Sequence, residues 1–245
     1  MPGAGRRFLR QMSVAGSLLA LAFQAQAEDW ASVGQALVTD HLEVGLRSVY
    51  YELRDKGQRI FNGEEFLGGY TYGISIDRLE ERRNYDPQPY LRIKPIPYLA
   101  FELGWERLEA ATRTYWDNHS DGNVNLSGPS VAIIARLPNE TIFTPYAGLG
   151  RVYFTASFDH WTDFYDAGRT IEVDNTVGNF YLVGCEVTVY DGLQADLMYR
   201  SMTAKVDSLF YIDDPPRDGQ DLYNMHGWTF PFDNWSVLLG VKWAF

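Results

Sequence analysis

The chain has 245 residues, with 32 acidic and 21 basic side chains and a formal net charge of −11, a balance that argues against nucleic acid as a partner. Its single cysteine, Cys185, excludes an intrachain disulfide. Beyond the first residues no segment has the roughly 20 consecutive apolar residues of a transmembrane helix, whereas a membrane β-strand shows only alternate residues to lipid.

The N-terminus reads as an export signal. Arg6, Arg7 and Arg10 form a basic region, Val14 to Phe23 is an apolar stretch too short to span a bilayer, and Ala25-Gln26-Ala27 is an A-x-A cleavage site. Residues 1–27 are thus expected to be a signal peptide, removed to leave Glu28 first. The Arg6-Arg7 pair weakly matches a twin-arginine signal, a route for folded cargo. A barrel must reach its membrane unfolded, so the general secretory route is favoured. Residues 28–40 read as a short irregular periplasmic lead.

Alternation then begins. Leu42, Val44 and Leu46 oppose Glu43, Gly45 and Arg47 in a first strand running to about Tyr51. A second is Tyr90 to Lys94, with Leu91 and Ile93 outward and Tyr90, Arg92 and Lys94 inward, ended by Pro95-Ile96-Pro97 because proline cannot donate to a ladder. The third has Leu99, Phe101, Leu103 and Trp105 against Glu102, Gly104 and Glu106. The fourth, 125–137, points Val131, Ile133, Ala135 and Leu137 outward and Ser130, Ala132 and Arg136 inward. The fifth, 144–158, sets Val152, Phe154, Ala156 and Phe158 against Arg151, Tyr153, Thr155 and Ser157; Arg151 is expected in the interior. The sixth, 178–190, ends in Asp191-Gly192, a strong hairpin signal, and places Cys185 among lipid-facing valines. The seventh sets Leu193, Ala195, Leu197 and Tyr199 against Gln194, Asp196, Met198 and Arg200, with a possible extension to Phe210. In the eighth, Trp235, Val237, Leu239, Val241, Trp243 and Phe245 share one face, and Leu238 is the misfit on the other.

Connections alternate short and long: 95–97, 138–141 and 191–192 against 52–87, 113–123, 159–177 and 211–233. Short periplasmic turns with long outer loops, aromatic strand ends and alternating strands define an all-β class: a transmembrane antiparallel up-and-down β-barrel of about eight strands over residues 41–245. The strand-like stretch Phe66–Ile76 breaks parity as a span. It is assigned to the first outer loop, as a strand extension or lid, with a ten-stranded barrel as the alternative.

The tail, ending in phenylalanine, is similar to the C-terminal strand of bacterial outer-membrane barrels. With Leu103-Gly-Trp-Glu-Arg107, Pro145-Tyr-Ala-Gly-Leu-Gly150 and Leu197-Met-Tyr-Arg200 it resembles the OmpA-like family of small outer-membrane barrels, which includes OmpW-like and opacity-type proteins. The resemblance covers Leu42 to Phe245 and implies a bacterial outer-membrane location in a Gram-negative cell envelope. It implies Trp243 and Phe245 as the assembly signal. The partners are outer-membrane lipids and lipopolysaccharide, the barrel-assembly machinery and periplasmic chaperones. A monomer is expected, with no nucleic acid and no cofactor. The peptidoglycan-binding domain of full-length OmpA proteins is absent after Phe245.

An eight-stranded barrel is just wide enough to be filled by side chains. The inward sets hold Glu43, Glu102, Glu106, Glu186 and Asp196 with Arg47, Arg92, Arg136, Arg151, Arg200 and Lys242. Charges there must pair, because an isolated one is costly to bury. An ion-pair network closing the lumen is therefore expected. No catalytic constellation stands out. Adjacent His119 and Ser120 would point to opposite faces of a strand, and only Ser157 and His160 could meet; His41 and His226 have no partner in the pattern. The Asp117 to Asn123 stretch lacks EF-hand spacing, and no metal site is assigned. The acidic and aromatic loop runs at 159–166 and 213–221 could bridge to lipopolysaccharide through divalent ions. The reading is a non-enzymatic barrel with a structural or surface-interaction role and a closed lumen. Its alternatives are a narrow channel for small or hydrophobic solutes, as OmpW-like relatives suggest, and an outer-membrane lipid-modifying enzyme.

Overall fold

The computed structural model describes residues 41–56, 61–62, 75–82, 85, 87–113, 118–160, 169–190, 192–212 and 226–244. The expectations for residues 1–40, for 66–74, for Asp117, for the loop runs at 161–166 and 213–221, and for Phe245 lie outside these residues.

The strands are β1 Leu42–Leu53, β2 Phe61–Asn62, β3 Ser75–Ile76, β4 Arg78–Glu81, β5 Gln88–Ile96, β6 Leu99–Arg113 and β7 Gly122–Arg136. Then follow β8 Phe143–His160, β9 Arg169–Val173, β10 Thr176–Tyr190, β11 Leu193–Thr203, β12 Lys205–Ile212, β13 His226–Pro231 and β14 Asn234–Ala244. Eight of them close on themselves in the order β1, β5, β6, β7, β8, β10, β11, β14, every pair antiparallel. Closure removes free edges and satisfies the ladder hydrogen bonds within the wall. The eight-stranded count holds: among the described residues, Ser75–Ile76 pairs with Phe61–Asn62, outside the barrel sheet, and no further strand enters the closed barrel.

Period-two alternation puts apolar side chains outside. Leu46, Phe101, Leu103, Ile133, Leu197, Leu239 and Val241 are each at least 43% exposed, while Glu43, Arg92, Asp196 and Lys242 are at most 1% exposed. A water-soluble barrel would invert this. An apolar exterior around a charged interior is the arrangement of an integral membrane barrel. Tyr98, Phe143, Tyr190 and Trp243 ring the end with the short turns, and Trp105, Tyr181, Tyr199 and Trp235 ring the other. Trp235 stacks on Tyr199 with ring centroids 6.5 Å apart. Cys185, half-buried, shares the outer face with Val183 and Val187, as its alternation predicted.

The fifth barrel strand corrects an expectation. Arg151 does not point into the lumen; it is exposed and its Nε donates to Asn179 Oδ1 at 2.9 Å. It pairs with outward Val131, so Val152 and Phe154 point inward, at 0% and 2% exposure. The expectation rested on a polar interior throughout, whereas the outer half of this lumen is apolar: Tyr51, Leu108, Leu126, Val152, Phe154 and Met202 pack there at 0–2% exposure. Leu238, the misfit of the tail, belongs to the same layer at 1% exposure.

A second difference lies at β11. It ends at Thr203, and residues up to Phe210 belong instead to β12, which pairs with β13 and β9 in a separate three-stranded sheet built from the long outer loops. His160 anchors this sheet by accepting the Ile171 N–H on Nε2 at 2.9 Å, with its ring edge-on to Phe158. That contact gives His160 a structural part.

Candidate functional site

The inner half of the lumen is a continuous set of ion pairs. Arg47 grips Glu102 with both terminal nitrogens, each 2.6 Å from a carboxylate oxygen, and its Nη2 also lies 2.9 Å from Asp196 Oδ2. Arg92 donates Nη2 to Glu102 Oε2 at 2.7 Å and Nη1 to Glu186 Oε1. Arg136 Nη2 reaches Glu186 Oε2 at 2.5 Å. Lys242 Nζ bridges Glu43 Oε2 at 2.6 Å and Glu186 Oε1 at 2.8 Å. A separate pair stands nearer the outer half: Arg200 Nη1 to Glu106 Oε1 at 2.5 Å, with Arg200 Nε donating to Ser236 Oγ at 3.2 Å. Ten of the eleven lumen residues expected from alternation are thus brought together, and Arg151 is left out. Trp243 of the expected assembly signal lies on the lipid face at 46% exposure.

Alternation turned Lys94 and Tyr90 inward without naming them in the network: Lys94 Nζ lies 2.6 Å from Glu43 Oε1, and Tyr90 and Tyr146 are the two phenols that complete the plug. Tyr146 donates to Asp196 Oδ1 at 2.5 Å, and the Tyr90 ring lies under the Arg47 guanidinium at 3.6 Å. Both phenols lie flat against glycines. A Cβ on Gly45 would stand 2.4 Å from the Tyr90 ring, and one on Gly184 2.4 Å from Tyr146. An inward glycine beside a charged neighbour was the available signal for such a ring.

Above this plug the strand ladder breaks off among the described residues. β1 pairs with β5 from Leu42↔Ile93 to Arg47↔Gln88, yet stays paired with β14 up to Leu53↔Asn234. β6 pairs with β5 only to Gly104↔Tyr90, while it follows β7 to Ala111↔Asn123. Among the described residues, no ladder joins the outer parts of β1 and β6 to the chain between them until Arg82 N–H bonds Glu109 O at 2.9 Å and β4 pairs with Ala110–Arg113. The cause is local: Pro87 and Pro89 flank Gln88, and neither has an N–H to give.

At this seam side chains add to the backbone bond from Arg82 N–H to Glu109 O. The Tyr51 hydroxyl accepts the Glu109 N–H at 3.0 Å and lies 3.0 Å from Arg82 O; Ser48 donates to Tyr85 O at 3.3 Å. Tyr51→Phe would leave the Glu109 N–H without this acceptor. It is expected to destabilise the barrel by about 1–3 kcal/mol and to speed amide exchange at Glu109. Unfolding in detergent and hydrogen exchange check this, and an unchanged Glu109 amide would contradict it.

At the seam a void of ≈ 10 Å³ crosses the wall. Pro89 and Trp105 border it on the lipid side, and Arg47, Glu106 and Leu238 on the lumen side. It sits where the charged layer meets the apolar one, level with the outer aromatic ring.

No family model matches the chain, and no curated protein matches it in sequence. Solved structures do. The outer membrane protein OprG from Pseudomonas aeruginosa superposes with a TM-score of 0.63 at 13% identity, over 84% of this chain and 97% of that one. The outer membrane protein AlkL, determined in lipid bilayers, gives 0.59 at 11% identity over 84% and 90%. The Escherichia coli outer membrane protein W gives 0.53 at 13% identity over 84% and 98%. These likenesses show the fold: the chain is a small β-barrel of the kind found in bacterial outer membranes.

Proposed function

We propose that this protein stands in the bacterial outer membrane as an OmpW-like barrel, closed to ions along its axis, that passes small apolar solutes sideways into the bilayer. One observation carries the reading: an apolar outer lumen lies directly above a charged plug, and among the described residues the strand ladder breaks off at that level. A solute entering from outside meets apolar surface, cannot cross the ion pairs without stranding charge, and finds the interruption beside Pro89 and Trp105. Among the described residues, opening the seam breaks the bonds at Tyr51, Ser48 and Gln88 and the Arg82–Glu109 backbone bond rather than a continuous strand ladder.

The test is uptake of octane by cells carrying the protein in the outer membrane. Uptake should exceed that of cells lacking it. Pro89→Val restores an N–H at the seam, lets β5 extend along β6, and should lower uptake severalfold at an equal amount of folded, heat-modifiable protein. A structural or surface-interaction barrel is the second reading, favoured by the small void and the three-stranded sheet above the barrel. Equal octane uptake with and without the protein would select it. The assembly role of Trp243 and Phe245 is part of the same proposal, as is a monomer among outer-membrane lipids and lipopolysaccharide.

A further inference from the structure

Glu106, at the edge of the seam void, belongs to an unused polar pair. Glu106 borders the void and is 6% exposed, yet its Oε2 has no hydrogen-bond partner among the described residues. Its ion-pair partner Arg200 is 2% exposed and leaves Nη2 likewise without a partner. Every other contact of the pair is accounted for: Arg200 Nη1 on Glu106 Oε1, Arg200 Nε on Ser236, and Ser130 Oγ 3.4 Å from Glu106 Oε1. A buried carboxylate oxygen and a buried guanidinium N–H left unpaired are each costly. Side by side, they offer one acceptor and one donor. Around them the surface is apolar: Leu238 and Trp105 at the void, and the Phe180 ring 5.3 Å from the Arg200 guanidinium.

We infer that Glu106 and Arg200 form a head-group subsite at the seam for a neutral amphiphile whose polar end both donates and accepts a hydrogen bond, such as a medium-chain alcohol. The hydroxyl donates to Glu106 Oε2 and accepts from Arg200 Nη2. The alkyl chain lies along Leu238 toward the apolar lumen or past Trp105 toward lipid. A carboxylate head meets Glu106 with like charge. An alkane leaves both atoms unpaired, and a ketone leaves Glu106 unpaired. This names the solute class for the lateral route proposed above and rests on that reading.

The experiment uses the full chain in lipid bilayers and a photoreactive eight-carbon alcohol carrying a diazirine at its far end. Labelled residues are mapped by mass spectrometry. The alcohol should saturably label the seam peptides that contain Pro89, Trp105 or Leu238. 1-Octanol should compete at about one-tenth the concentration needed with 2-octanone or octane, because a site built to hydrogen-bond a hydroxyl rejects analogues lacking it. Octanoate should not compete. Glu106→Gln turns the free acceptor into a donor of similar shape. It should abolish the preference for octanol over 2-octanone while the folded amount, read by heat-modified migration, stays the same.

Equal competition by octane and octanol, or labelling unchanged in Glu106→Gln, would overturn the subsite as general lipid solvation. Octane uptake by cells separates the two ideas. Uptake without alcohol selectivity leaves the lateral route standing and removes the subsite. Selective labelling without uptake leaves the subsite standing and removes the route.

Discussion

Replacing Arg92 with alanine is expected to destabilise the barrel by about 3–5 kcal/mol, the range for removing one partner of a buried ion pair. Arg92 is fully buried and lies within 4 Å of four carboxylates: Glu43, Glu102, Glu186 and Asp196. Its loss strands like charges in a buried space, and neighbouring Lys242 bridges Glu43 and Glu186 alone of the four. Arg151→Ala is the control. That side chain lies outside the lumen in a single hydrogen bond to Asn179, so its removal should change stability by no more than about 0.5 kcal/mol. Reversible unfolding in detergent or lipid measures both. Similar effects for the two arginines would refute the placement of the plug.

The second large effect is expected on the lipid face. Leu239 is 62% exposed and pairs with Ser48 on one side and Leu197 on the other, midway along β14. Leu239→Arg places a charge in hydrocarbon and should destabilise by about 2–4 kcal/mol, falling toward 0–1 kcal/mol for the same change at Trp243 near the interface. A flat profile along β14 would show that this face does not meet lipid.

Much of this was legible in the chain because a period of two is a local signal. It placed β1, β6, β7 and β14 on the right faces, and the charges of Glu43, Arg47, Arg92 and Glu102 in the lumen. Pairing of those charges followed from the cost of burying them alone. The misplacement of Arg151 and the reading of Leu238 share one cause, the assumption that a membrane barrel is polar inside along its whole length. Arg151 and Val152 alternate as well in one register as in the other. Only the neighbouring strand, through Val131↔Arg151, decides which faces lipid. Leu238 looked like a defect for the same reason and is instead where the charged layer gives way to the apolar one.

The interruption beside β5 was written in Pro87 and Pro89, but its meaning is non-local. A proline before a short strand reads as a loop end. It becomes a gap only when β1 and β6 are seen to continue past it. The sheet of β9, β12 and β13 was hidden likewise, since its pairings join loops about 40 and 20 residues apart in sequence. The parts of Tyr90 and Tyr146 in the plug escaped notice because a phenol on an inward face fills space as readily as it donates a hydrogen bond. Only its proximity to Asp196, Gly45 and Gly184 identifies it as part of the plug.

Single-channel recording of the full chain in planar bilayers tests the account most directly, because all of it depends on the ion pairs sealing the inner lumen. The wild-type protein should show little or no steady conductance, and Glu102→Ala, which uncouples Arg47 and Arg92 from their shared carboxylate, should introduce a small leak. A stable, reproducible wild-type channel, with permeation altered by Glu102 substitution, would contradict the sealed lumen and make the axis the route.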